Sequence, residues 1–255
     1  MLVLDLETVP ECLPHGGPIA IPSDVWGSVG GARSGRWDVP ADVVDVWDHE
    51  HGAGYSVTRP AGATAAQLEE AMSTYLRRAL EPRRCRIVAW ALADLRIDKP
   101  EVIAATRYDD DEASLLRALL AELDCHAPGV TLAAWCGPRF DFPVLRARAL
   151  VCGLPELARY VAPVLRGGRV YWSHAGQVDL AEFTAERACR GRHVSKASVA
   201  EAWGLTIETA SGAEVPRWWA AGDHGAVLAH VIEDVQIEHR IGRLQAAHEV
   251  SEDGT

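Results

Sequence analysis

The chain predicts an α/β domain built on a mixed β-sheet with helices on both faces, and three observations predict it. Strand-like apolar runs alternate with segments of helical periodicity. The run 129–136 is apolar almost throughout, as strands covered on both faces are. The early strand-like runs 2–9, 85–95 and 100–108 follow one another in hairpin fashion, which points to antiparallel pairing within the sheet.

Taken in order, LVLDLETV (2–9) is a short apolar strand ended by Pro10. Residues 12–60 are rich in Gly, Pro, Asp and Trp without sustained periodicity, and are read as irregular. ATAAQLEEAMSTYLRRAL (63–80) has helical spacing, with Leu68, Met72, Tyr75, Leu76 and Ala79 on one side. CRIVAWALADL (85–95) and PEVIAATRY (100–108) are strands. DDDEASLLRALLAEL (109–123) is a helix whose acidic first turn suits the positive end of its dipole. GVTLAAWC (129–136) is a buried strand broken by Gly137 and Pro138, and FDFPVLRARALVCG (140–153) is a helix with Asp141 at its start. GRVYWSHAGQVDL (168–180) supplies one or two strands, and SVAEAWGL (198–205) a short helix with a capping box from Ser198 to Glu201. A long amphipathic helix covers 224–250, and 251–255 is a polar tail. Residues 1–250 are expected to form one domain carrying an irregular insertion at about 12–80.

Composition narrows the function. The 255 residues carry a net charge of −11, so a general phosphate-backbone coat is excluded. An acidic enzyme can still grip a strand end through bound cations. Two basic runs, 76–86 and 187–196, read as solvated faces. Lys99 and Lys196 are the only lysines among 25 basic residues, which is read as genome base composition. The six cysteines (Cys12, Cys85, Cys125, Cys136, Cys152 and Cys189) form no C-x-x-C pair, so neither a zinc site nor disulfides are expected. Without an apolar span or a secretory signal, the expected location is cytoplasmic, with no membrane partner.

Three places in the sequence hold acids that composition does not explain. Residues i and i+2 of a strand share a face, so Asp5 and Glu7 stand side by side while Leu4 and Leu6 face the other way. Two carboxylates on a strand covered on both sides cost several kcal/mol, on the order of 2–7 per uncompensated polar group, unless something neutralises them. An edge strand with one solvated face, or pairing with arginines, also suits this spacing. Asp141 follows a buried strand and opens a helix, where an N-cap is the competing role. Asp234 adjoins an apolar helix stripe of Val227, Val231 and Val235, with His230 one turn earlier; a surface His–Asp pair is the competing role. Glu233, Glu238 and His239 are read as solvated groups. Together Asp5, Glu7, Asp141 and Asp234 form a set of hard oxygen donors suited to two Mg2+ or Mn2+ ions, which can clamp a phosphodiester.

These residues resemble the four-acid (DEDD) 3′–5′ exonucleases of the ribonuclease H-like (DnaQ-like) fold. Within that group the chain is most similar to predicted exonucleases related to the proofreading domain of family B DNA polymerases. LDLETVP resembles the first motif, CRIVAWALA the second strand, and TLAAWCGPRFDFPVLRARAL the signature of a strand, N-G-x-x-F-D-x-P-x-L and an Arg. QVDL, the SVAEAWGL helix, Ser211-Gly212 and HVIEDV follow in the family's order. The resemblance covers most of the chain outside 12–80.

The resemblance implies a metal-dependent 3′–5′ exonuclease that hydrolyses phosphodiester bonds from a nucleic-acid 3′ end, single-stranded DNA being favoured. Asp5, Glu7, Asp141 and Asp234 would be the metal ligands. Phe140 would pack against the terminal base, Thr8 would meet the terminal nucleotide through its backbone, and Cys136 would line the substrate site. Asp179 would support or cap the site rather than bind metal. Two residues depart from the pattern: Cys136 stands where the family has Asn, and His230 where the subgroup has Tyr. Histidine's unperturbed pKa near 6.5 suits a general base, and His230 is assigned that role. Trp26, Trp37 and Trp47 of the insertion are read as packing, with base stacking the alternative. The competing class is a degenerate exonuclease-like module that binds nucleic acid without cleaving it.

Overall fold

The computed structural model describes residues 1–14, 19–26, 28–29, 41–48, 53–60, 62–81, 84–106, 111–126, 130–162, 164–166, 169–171, 177–181, 195–208 and 211–252. Along the chain lie β1 (Leu2–Pro10), β2 (Ile19–Ala20), α1 (Ser23–Trp26), β3 (Ala41–Asp48), β4 (Ala53–Pro60) and α2 (Ala65–Leu76). After a 3-10 turn at Arg77–Leu80 come β5 (Cys85–Asp94), β6 (Ile103–Thr106), α3 (Glu112–Asp124), β7 (Leu132–Ala134), α4 (Asp141–Val151) and α5 (Pro155–Tyr160). Then follow β8 (Val164–Arg166), β9 (Arg169–Tyr171), β10 (Gln177–Asp179), α6 (Lys196–Ala202), a 3-10 turn at Gly212–Glu214, α7 (Val215–Ala221) and α8 (His224–Glu252). They group into two compact units, one of Met1–Glu7, Ile87–Ala210 and Leu228–Thr255, the other of Thr8–Arg86 and Ser211–Val227.

The first unit is organised by a five-stranded sheet in the order β10-β7-β1-β5-β6. β7 runs parallel to β1, and β10 parallel to β7. β6 is antiparallel to β5. The Leu95 N–H donates to the Met1 carbonyl at 3.1 Å, which sets the end of β5 beside the start of β1, so this pair is antiparallel too. The result is the expected mixed, ribonuclease H-like sheet with the first strand at its centre. Leu2 to Glu7 are all buried, so helices cover this strand from both sides.

α3 begins where Asp111 accepts the Ser114 N–H at 2.9 Å, and it buries Leu115, Leu116, Leu119 and Leu123. Trp90 of β5 donates its ring N–H to the Leu115 carbonyl at 3.0 Å. Glu112, in the first turn of α3, accepts the Ile87 N–H at 2.8 Å and a bidentate pair of bonds from Arg148 of α4. One carboxylate thus ties sheet, α3 and α4 together. α6 starts at Ser195, whose hydroxyl accepts the Ser198 N–H, so the cap lies three residues before the capping box the sequence suggested. Its Val199 and Ala200 pack with Ile237 and Ile241 of α8. α8 runs on to Glu252, past the expected start of the polar tail; residues 253–255 lie outside the described residues.

The second unit departs from the expectation of irregular chain over 12–60. β3 and β4 pair antiparallel from Ala41↔Pro60 to Asp48↔Ala53, and β2 adds on the other side of β4. Val43, Val44, Val46, Tyr55, Val57 and Thr58 supply the β-branched and aromatic residues that favour strands. The surrounding Gly, Pro and Asp hid that strand preference. α2 carries a complete Thr64–Gln67 capping box and buries Leu68, Ala71, Met72 and Tyr75, on the stripe the periodicity predicts. Trp26 is buried, in keeping with a packing role; Trp37 and the side chain of Trp47 lie outside the described residues.

Candidate active site

Register decides which side chains of β1 can meet. Leu2 lies opposite Leu132 and Val3 opposite Ala133, and paired residues of parallel strands share a face. Leu2, Leu4 and Leu6 therefore pack on one face, and Val3, Asp5 and Glu7 on the other. Helical spacing does the same on α8, where His230, Asp234 and Glu238 recur every four residues and so line one stripe. The two stripes meet. His230 Nε2 stands 3.4 Å from Glu7 Oε1 and 3.8 Å from Asp234 Oδ2. One donor atom from each of Glu7, His230 and Asp234 lies within 4.8 Å of the others, close enough to share an ion.

Asp141 is the first residue of α4 rather than its cap; that place falls to Phe140, which makes no side-chain capping bond. The Asp141 carboxylate meets its own backbone N–H in the first turn of α4, which offsets only part of the effect of burial on it. It is 3% exposed. The turn before it is built on two unusual residues. Cys136 has φ of 58°, in the left-handed region, and Gly137 leaves no room for a Cβ, which would stand 2.8 Å from both Ala134 and the Phe142 ring. Asp179 holds this turn, accepting the N–H groups of Cys136 and Ala181 at 3.0 Å each. It pairs with Ala134 on the Leu2 face of the sheet, opposite Asp5 and Glu7, which fits a supporting role.

Electrostatics separate this cluster from an ordinary polar surface. Burial drives the carboxyls of Asp5, Glu7 and Asp141 well above the usual range. Glu238 and Asp234 push the Asp5 carboxyl further in that direction, as Asp234 does for Glu7 and Glu238 for Asp141. Burial pushes the His230 imidazole below 6.5, which Asp234 only partly offsets, so its ring is neutral at neutral pH. Asp5 Oδ2 is buried and has no hydrogen-bond partner among the described residues. A buried carboxylate oxygen without a partner is costly and rare. A divalent cation would satisfy it, and the oxygen-rich donor set matches Mg2+ or Mn2+ better than zinc.

Two residues of the cluster were not anticipated. Glu238, read from the sequence as solvated, has no exposed surface. Its Oε2 accepts the Trp135 N–H at 3.1 Å and its Oε1 accepts Lys196 Nζ at 2.9 Å. Lys196 also donates to Asp234 Oδ2. Burial pushes the Lys196 ammonium down, but Glu238, Asp5 and Asp234 outweigh it and hold its pKa well above the ordinary lysine value. The signal available in the sequence was spacing, since Glu238 is one turn beyond Asp234. His239, read as a surface group, is also buried, with Nε2 paired to the Ile97 carbonyl at 2.9 Å.

The remaining expected residues are Cys136, Phe140 and Thr8. Burial, reinforced by Asp179, pushes the Cys136 thiol up to about 11, so it stays protonated. Phe140 is half-buried at the mouth of the same turn, its N–H bonded to the Cys136 carbonyl at 3.1 Å. Thr8 belongs to the second unit, where its hydroxyl donates to the Ala79 carbonyl at 2.6 Å. Its hydroxyl proton is thus engaged.

A ribonuclease H-like sheet with a buried acidic cluster on one face defines a class of α/β proteins. Within it, the chain belongs to the family of predicted 3′–5′ exonucleases related to the exonuclease domain of PolB, which matches residues 73–236. That span contains Asp141, Lys196, His230 and Asp234; the β1 acids and Glu238 lie outside it. Among solved structures, the family B DNA polymerase from the hyperthermophilic archaeon Pyrobaculum calidifontis is similar at 20% identity and a TM-score of 0.49, over 67% of this chain and 22% of that one. The chain thus spans about a fifth of the polymerase's length. No curated protein sequence matches it. Among the described residues no helix is long and apolar enough to cross a membrane.

Proposed function

We propose that the chain is a metal-dependent 3′–5′ exonuclease that hydrolyses the terminal phosphodiester bond of single-stranded DNA. The observation that carries this reading is the unpartnered, buried Asp5 Oδ2 beside a Glu7–His230–Asp234 group of ion-binding size. Asp5, Glu7, Asp141 and Asp234 would hold two Mg2+ or Mn2+ ions, whose chemistry is to lower the pKa of a water and to stabilise the leaving oxygen. His230, neutral and buried, takes the proton of the attacking water. The Asp179-fastened turn keeps Asp141 and Phe140 in place, with Phe140 against the terminal base and the Cys136 turn lining the nucleotide site. With a net charge of −11, the chain draws its hold on the phosphate from bound cations rather than from a basic surface.

A second role for His230 has its own support: its ring nitrogen lies close enough to Glu7 and Asp234 to be a ligand itself. Mn2+ binding to His230→Gln separates the two. A base leaves affinity unchanged, whereas a ligand lowers it. For substrate, single-stranded DNA, duplex DNA and RNA, each with a free or a 3′-phosphorylated end, would be compared with Mn2+. Cleavage of free-ended single-stranded DNA above the others supports the reading. Binding without cleavage of any of them would favour the degenerate module.

A further inference from the structure

The Lys196 ammonium and a divalent cation have the same oxygen to compete for. Lys196 donates to Asp234 Oδ2, the oxygen that also faces His230 Nε2 at 3.8 Å. We propose that Lys196 is a built-in counter-cation that occupies the metal-free site and is displaced from Asp234 onto Glu238 when a metal ion binds. This rests on the metal-dependent reading above.

Three features carry it. First, Lys196 bridges two acids one helical turn apart, so leaving Asp234 costs it one partner and not both. Second, Glu238 is built as a fixed resting place. Its Oε2 is held by the Trp135 N–H, its Oε1 is turned to the ammonium, and it has no exposed surface. With both oxygens engaged it serves as the lysine's anchor rather than as a metal ligand. Third, the charge of Lys196 favours the ionised forms of Asp5, Glu7, Asp141 and Glu238, against their burial and mutual repulsion. An ammonium is a compact point charge on a flexible stem and can move between neighbouring carboxylates. A guanidinium fork is held by planar, paired bonds. In a chain that otherwise relies on arginine for nearly all its positive charge, a lysine stands at this place.

The device predicts opposite effects of its two halves on metal affinity. Lys196→Met removes the competitor, so Mn2+ measured by calorimetry binds about tenfold or more tightly, as loss of a nearby like charge in a partly buried site dictates. Glu238→Gln removes the anchor, leaving the ammonium on Asp234, and Mn2+ binds about tenfold more weakly. A merely structural role for the pair would shift both in the same direction. Because Lys196→Met leaves acids uncompensated and could fail to fold, the wild-type protein supplies a second readout. With two lysines, selective 15N-lysine labelling gives two side-chain ammonium signals, and diamagnetic Mg2+ should shift that of Lys196 and leave that of Lys99 in place. Mg2+ binding with the Lys196 signal unmoved, or the two variants changing affinity in the same direction, would overturn the exchange and leave the exonuclease reading standing. No binding of Mg2+ or Mn2+ by wild type or either variant would overturn both.

Discussion

His230 is the residue whose chemistry is most open to test. Its burial favours the neutral ring, so it can accept a proton until the pH falls below its lowered pKa, which lies under 6.5. The rate should therefore fall on the acid side of neutrality and hold above it. His230→Gln should lose about 100-fold or more in kcat, the usual scale for a general base, and lose that acid limb of the pH profile with it. A variant that slows but keeps the limb would assign the titration to another group. The acids were legible because each sits where a carboxylate is out of place: Asp5 and Glu7 in an apolar strand, Asp234 beside a valine stripe. Lys196 and Glu238 were not, because Lys196 closes a basic run that reads as a solvated face, and the one-turn spacing from Asp234 to Glu238 does not by itself show which acids of the helix are buried.

At the scale of elements, the site depends on two joints. The first is the turn from β7 to α4. Gly137→Ala would force a Cβ to 2.8 Å from Ala134 and Phe142, neither of which is a flexible chain end, and should cost about 1–3 kcal/mol of stability by denaturant unfolding. The second is the Arg148–Glu112 pair, both side chains 8% exposed, which links α4, α3 and the Ile87 N–H. Arg148→Met strands a buried carboxylate and should cost about 3–5 kcal/mol. Double replacement with Glu112→Gln should recover part of that loss, and failure to recover any would show that the arginine's packing rather than its charge matters. The main strands and helices of the first unit followed from periodicity, since apolar runs and leucine stripes report burial directly. The β3–β4 pair did not. Its valines are interspersed with aspartates in β3 and its strands are flanked by Gly and Pro, so turn chemistry dominated the local pattern. α5 and α7, each shorter than two full turns, also lack enough length to show a period.

For the whole molecule, the site has a pH signature that can be measured without substrate. Asp5, Glu7 and Asp141 have folded pKa values above their unfolded ones, so each binds its proton more tightly in the folded state. Their contribution to stability is complete below about pH 4 and fades as the pH climbs through the raised values. His230 runs the other way, since its lowered pKa favours the folded state as the pH rises toward 6.5. Glu238 adds to the first group and His239 to the second, so with four carboxyls against two imidazoles the melting temperature in EDTA should fall between mildly acidic and alkaline pH, and Mn2+ should restore it most at the alkaline end. A flat profile in EDTA would mean that the acids are compensated without metal. The most direct measurement of function uses 5′-labelled single-stranded DNA with Mn2+ or EDTA, comparing wild type with Asp5→Asn. A ladder that shortens from the 3′ end, absent with EDTA and absent in a folded Asp5→Asn, is the predicted result. Intact DNA with folded, Mn2+-bound wild type, or an undiminished ladder from Asp5→Asn, would contradict it.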